Sequence, residues 1–140
     1  MKTWVHLLTS IIIAILFYPI YNWKVALIIV GGVLIDVDHY LWWVCQHREI
    51  SLIKSYKFFI RNIEVNDFSN VYGILLIFHT IEFFLIMVVL SYYSIYAFMF
   101  TTGLMSHYVL DAIFTAYMAK RIVANHSLAY WLYKKRIQKV

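Results

Sequence analysis

The chain has 140 residues, 64% of them hydrophobic and 14% charged, with a formal net charge of +5 and a pI near 9.3. A charged fraction that far below the roughly 25% of soluble domains excludes an ordinary globular balance and points to an integral membrane domain. The cationic excess then reads as membrane topology and attraction to anionic lipid headgroups; no nucleic-acid partner is expected.

Four membrane spans are expected, at about residues 4–21, 25–45, 72–90 and 94–117, each close to the roughly 20 residues a bilayer helix needs. Together they form one membrane domain over residues 1–118, an all-α four-helix bundle. The first run carries His6 near its start and Pro19, the only proline, at its far end, where a helix can stop cheaply. It has no small-x-small cleavage site and is read as a retained helix rather than a secretory signal. The second run holds Gly31-Gly32 one turn before Asp36-Val37-Asp38-His39. Cys45, the lone cysteine, has no partner for an intramolecular disulfide.

In the loop 46–71, Leu52, Tyr56, Phe59, Ile60 and Ile63 recur at helical spacing, with Lys54, Lys57, Arg61 and Glu64 on the opposite face. That pattern predicts an interfacial amphipathic helix. The third run contains His79 and Glu82, and the fourth contains Gly103, His107 and Asp111. The tail 119–140 is basic, sets Tyr130, Trp131 and Tyr133 beside Lys134–Arg136, and reads as a second amphipathic segment.

Eleven of the 12 Lys and Arg residues flank the spans on one side, and only Lys24 lies on the other. The bias predicts a multi-pass protein of the cell (inner) membrane with both termini in the cytoplasm. Tyr18, Tyr21, Trp23, Tyr92 and Tyr93 would form the outer aromatic belt, and Trp4, Trp42, Trp43, Tyr72 and Tyr117 the inner one.

With this threading, counting about 1.5 Å per residue brings His79, Asp36 and Asp111 to a common depth about 10 Å inside the cytoplasmic interface, with His6 slightly shallower. Ionisable groups at membrane depth are expensive and mark function. Asp36/His39 and His79/Glu82 are three residues apart and His107/Asp111 four, so each pair would share a helix face. Asp38 points off the Asp36/His39 face and suits an orienting role. Small residues at Gly31, Gly32 and Gly103 would let helices approach closely, and a homodimer could pair through the same faces.

No cation among the side chains lies deep enough to offset Asp36, Asp38, Glu82 and Asp111, and unpaired buried carboxylates would be forced to protonate. Bound divalent metal, as one or two ions, satisfies the charge. The expected ligand set is His6, Asp36, Asp38, His39, His79, Glu82, His107 and Asp111. Mixed imidazole and carboxylate donors favour Zn²⁺, with Mn²⁺ or Fe²⁺ as alternatives, and the lack of cysteine argues against a structural thiolate zinc.

The stretches His6-Leu7-Leu8, Ile35-Asp36-Val37-Asp38-His39, Phe78-His79-Thr80 and Ser106-His107-Tyr108-Val109-Leu110-Asp111 resemble the motifs of the membrane-bound metal-dependent hydrolases related to the LexA-regulated inner-membrane hydrolase. That family pattern looks like His-Leu-Leu, Pro-Asp-Ile-Asp-His, Arg-Gly-x-Thr-His-Ser and His-x-x-x-Asp, and the resemblance spans about residues 3–115. Ile35 stands where the family has proline, and Leu75–Ile77 where it has the Arg-Gly element. The phosphate clamp such an arginine would supply falls to Arg48 or Arg61 if a phosphoester is the substrate.

The resemblance implies a metal-dependent hydrolase. The depth of the site implies an amphiphilic substrate, a phospholipid or polyprenyl phosphoester, attacked by metal-activated water with Glu82 or Asp38 as general base. The alternative is a non-catalytic metal-binding membrane protein: a carrier, a sensor or an accessory subunit. The outer halves of all four spans carry no ionisable group, which disfavours transport.

Overall fold

The structure, a computed structural model, describes residues 2–65, 67, 69, 73–119 and 126–137. Among the described residues the regular elements are all helical. The start of the expected third span at Tyr72, and Lys120, Arg121 and Lys139 of the tail, lie outside the described residues.

Helix α1 (Thr3–Tyr21) ends where Pro19 falls in its last turn, and Asn22 follows with φ 52°, a left-handed setting that asparagine tolerates better than most residues. A tight turn at Asn22–Val25 reverses the chain into α2 (Ala26–Val33), whose Ile28 packs with Ala14, Val25 and Met99 in an apolar core. Helix α2 continues through a tightened turn at Leu34–Asp36 into α3 (Val37–His47). Ser51 then caps the amphipathic α4 (Leu52–Glu64), its hydroxyl accepting from the Lys54 amide at 3.3 Å.

Thr80 caps α5 (Ile81–Tyr93), and Ser94, the single residue between the two helices, caps α6 (Ile95–Phe114). The last helix is α7 (Leu128–Ile137). Helices α2 and α6 run side by side at backbone contact. A Cβ on Gly31 would run into the Phe100 carbonyl, and one on Gly103 into the Ile28 carbonyl, so only glycine allows this approach. The glycine faces are therefore spent inside the chain and are not free to pair two chains.

The stretch Thr3–His47 holds a segment long and apolar enough to cross a membrane. Side chains are distributed in the reverse of the soluble pattern. Ile15 and Leu16 are 65% and 69% exposed, while His6 and His107 are 1% and 0% exposed. Large apolar groups face outward along α1 and α5, and the interior at one end is polar.

Two expected spans are corrected. The second breaks at Leu34–Asp36, and the third begins as a helix only at Ile81, after a short turn at Ile77–His79. At 13 residues, α5 is about 20 Å long against the roughly 30 Å of a hydrocarbon core. Both irregular stretches lie at the polar end and deliver site residues.

Candidate metal centre

Five elements converge on one point. Helix α1 brings His6, the Leu34–Asp36 turn brings Asp36, α3 brings Asp38 and His39, the Ile77–His79 turn brings His79, and α6 brings His107 and Asp111. Three overlapping groups could each hold an ion: His6/His107/Asp111, Asp36/His79/His107 and Asp38/His39/His79.

The two central imidazoles have fixed tautomers. His79 Nδ1 donates to Asp38 Oδ2 at 3.0 Å, and His107 Nδ1 donates to the Gly32 carbonyl at 2.8 Å. Neither acceptor can supply a proton, so each Nδ1 carries a hydrogen, and in the neutral ring Nε2 is left with a lone pair. These two Nε2 atoms lie 3.1 Å apart. Two neutral rings facing at that distance would set lone pair against lone pair, which either a proton on one Nε2 or a metal cation between them relieves.

Carboxylate oxygens close around the same point. Asp36 Oδ1 is 3.5 Å from His107 Nε2 and 3.6 Å from His79 Nε2, and Asp111 Oδ2 is 3.1 and 3.8 Å from the same two atoms. A tetrahedral ion with ligands at about 2.0–2.1 Å has ligand–ligand edges of about 3.3–3.4 Å. The observed edges, from 3.1 to 3.8 Å, bracket that value. By these five edges and their two carboxylate charges, the donors could hold a divalent ion.

His6 lies behind this cluster, stacked on His107 with ring centroids 3.8 Å apart. Its Nε2 is 3.3 Å from Asp111 Oδ1, yet neither ring nitrogen meets hydrogen-bond geometry, although both are buried. The ring is held there by its stacking on His107 and by the Asp111 carboxylate beside its Nε2.

Asp38 does not point away as its helix register suggested; the tightened turn before α3 rotates it inward, where it is buried. It accepts from His79 Nδ1, from His39 Nδ1 at 3.1 Å and from the Phe78 amide at 3.1 Å. With three donors on two oxygens it orients both histidines, the role carboxylates hold behind metal-bound imidazoles. His39 Nδ1 is also 3.5 Å from Asp36 Oδ1.

Glu82 is a correction. Because His79 sits in a turn rather than on α5, the three-residue spacing does not put the two on one face. The Glu82 carboxylate accepts from Ser127 Oγ at 2.7 Å and from the Leu128 and Ala129 amides at 3.0 and 3.1 Å, capping the start of α7. It joins none of the three donor groups.

Sequence reasoning missed Tyr108 and the Gly32 carbonyl. The Tyr108 hydroxyl donates to the carbonyls of Phe78 and Thr80, tying the His79 turn to α6. A tyrosine next to His107 in an apolar run was the available signal. The Gly32 carbonyl leaves no trace in a sequence.

A cavity of about 430 Å³ opens onto the cluster, with Asp36, His39, His79 and Asp111 in its wall and α4 as its roof. No family model, curated protein or solved structure matches this chain.

Proposed function

We propose that this is a multi-pass membrane protein with both termini in the cytoplasm that binds one divalent ion, Zn²⁺ by preference, and uses it to hydrolyse an amphiphilic substrate. The observation that carries the metal reading is the pair of Nε2 atoms 3.1 Å apart, each ring oriented by an acceptor on its Nδ1, with the Asp36 and Asp111 carboxylates closing on the same point. Charge supports a single ion. Asp36 and Asp111 are the two carboxylates whose oxygens face the Nε2 pair, and their two negative charges match one divalent ion, whereas Asp38 faces the Nδ1 side and Glu82 is engaged elsewhere.

Asp36, His79, His107 and Asp111 would hold the ion, with His6 packed behind them. A divalent ion there supplies a Lewis acid and a water of lowered pKa. The protein's own contribution is the Asp38–His39 pair. Asp38 fixes the His39 Nδ1 proton, so Nε2 of a cavity-wall histidine is left to take the proton from an attacking water. That assignment moves the general base from Glu82 or Asp38 to His39. Hydrolysis also agrees with the motif resemblance to membrane-bound metal-dependent hydrolases. An amphiphilic substrate agrees with a site reached through a cavity of mainly apolar lining.

The test is elemental analysis of the purified protein followed by a product assay on ester and phosphoester amphiphiles. The expected result is about one ion per chain and a product yield that a chelator abolishes and Zn²⁺ restores. His39→Gln should keep the metal and lose turnover. Metal-loaded protein that releases no product across the panel would instead support the non-catalytic carrier or sensor.

A further inference from the structure

The amphipathic helix α4 roofs the cavity with two polar side chains that face inward. Ser55 and Asn62, seven residues apart and so on one helix face, are both buried and both line the cavity. Asn62 is 7% exposed, and its Nδ2 has no hydrogen-bond partner among the described residues. An inward polar amide in an apolar roof is costly when unpaired. Membrane anchoring does not require it, since an interfacial helix would turn its polar side chains outward.

Away from the Asp36, His39, His79 and Asp111 side, most of the wall is apolar, with Phe59 and Ile63 from α4, Ile74 and Leu76 from the extended approach to His79, and Phe114 from α6. At about 430 Å³ the cavity falls in the lower part of the roughly 300–1,000 Å³ range of small-molecule sites. That volume matches about one hydrocarbon chain. Lys57 and Arg61 stand exposed on the outer side of the same helix, with no ion pair among the described residues. They would draw an anionic headgroup toward the entrance.

We propose that the cavity beneath α4 binds a single-chain anionic lipid, its acyl chain among Phe59, Ile63 and Phe114 and a headgroup or ester oxygen accepting from Asn62 Nδ2. This deepens the hydrolase reading by naming its substrate class as monoacyl, and it rests on that reading only for the claim that the bound lipid is cleaved. Binding itself depends on the cavity alone.

The experiment is photolabelling of the full chain in nanodiscs with lysophosphatidylglycerol carrying a diazirine at the end of its chain, mapped by peptide mass spectrometry, with metal content measured on the same samples. Label is expected within 52–63 and 74–78, displaced by unlabelled lysophosphatidylglycerol or palmitate and not by diacyl phosphatidylglycerol. The better competitor of the first two tells whether the source is a glycerolipid or a free fatty acid. Asn62→Leu, which keeps the volume and removes the donor, should weaken displacement about tenfold. Ser55→Trp should block labelling by filling the cavity while leaving the metal in place.

Label confined to the outward faces of α1 and α5, or displacement by the diacyl lipid as effective as by the monoacyl one, overturns the proposal. Labelled cavity without metal overturns the metal centre and keeps the lipid site; metal without cavity label does the reverse.

Discussion

The two ends of the bundle follow opposite rules. At the end with the Asn22–Val25 turn and Ser94, helices are regular, the core is Ala14, Val25, Ile28 and Met99, and the connections are short. At the other end the backbone breaks twice, the interior is imidazole and carboxylate, and the connections are long. The first end is held by apolar packing and close glycine approach. The second is held by polar groups that satisfy one another only in part, because a regular helix keeps its carbonyls to itself, whereas the interrupted one can offer Gly32 to His107. Polarity and irregular backbone occur together for that reason.

If the polar end is an ion site, removing a central donor should separate the two ends. His107→Ala is expected to lower metal affinity by more than the roughly 10–100-fold seen for outer partners, because both candidate groups around Asp111 and His79 share this residue. Circular dichroism should stay helical, since the apolar end does not depend on it. A metal stoichiometry equal to wild type would remove the cation from the gap between His79 and His107. Added Zn²⁺ should in turn raise the stability of the wild type by about 2.7 kcal/mol at a hundredfold excess over Kd, and leave the His107→Ala variant unmoved.

The complementary break is at the other end. Ile28→Ala empties the fully buried centre of the apolar core and should cost about 2–5 kcal/mol. Thermal unfolding in detergent measures it. The metal bound per folded chain should be unchanged, so loss of metal ahead of unfolding would show that the two ends are not independent.

How much of this was legible in the sequence depends on whether helix periodicity applied. His6, His107 and Asp111 sit on uninterrupted helices, and their convergence followed from ionisable groups in apolar runs threaded in opposite directions. His79 was assigned to the wrong element, because Ile74 to Phe78 is an unbroken apolar run in which helix and non-helix look alike. The break at Leu34–Asp36 has no proline to announce it, and that break turned Asp38 inward. Glu82 could not be read at all, since its partners Ser127 to Ala129 lie in a segment that sequence assigned to a separate tail.

Asp38 tests the link between the orienting shell and the donors. Asp38→Asn keeps the size but cannot accept from both imidazoles and the Phe78 amide as well as a carboxylate does, so His79 loses its fixed tautomer. Metal affinity should fall about 10–100-fold by competition with a chromophoric chelator, less than for His107→Ala. An equal loss in the two variants would make Asp38 a direct ligand.

The smallest effect on the ion is expected at Glu82, and there the comparison is sharpest. Glu82→Gln keeps a side-chain carbonyl for one of the three donors at the start of α7 and removes the charge that faces that helix's N-terminal amides. The hold on α7 should loosen, read as faster proteolytic release of the segment after Ser127, while metal content and Zn²⁺ stabilisation stay at wild-type levels. A carboxylate that belonged to the ion would give the opposite pair of results, with metal lost and α7 still docked, because Ile81 would keep its amide bond to the His126 carbonyl. Since the polar end contains both an ion cluster and a docking contact within one turn of chain, this variant separates a charge that serves the chemistry from a charge that only fastens the fold.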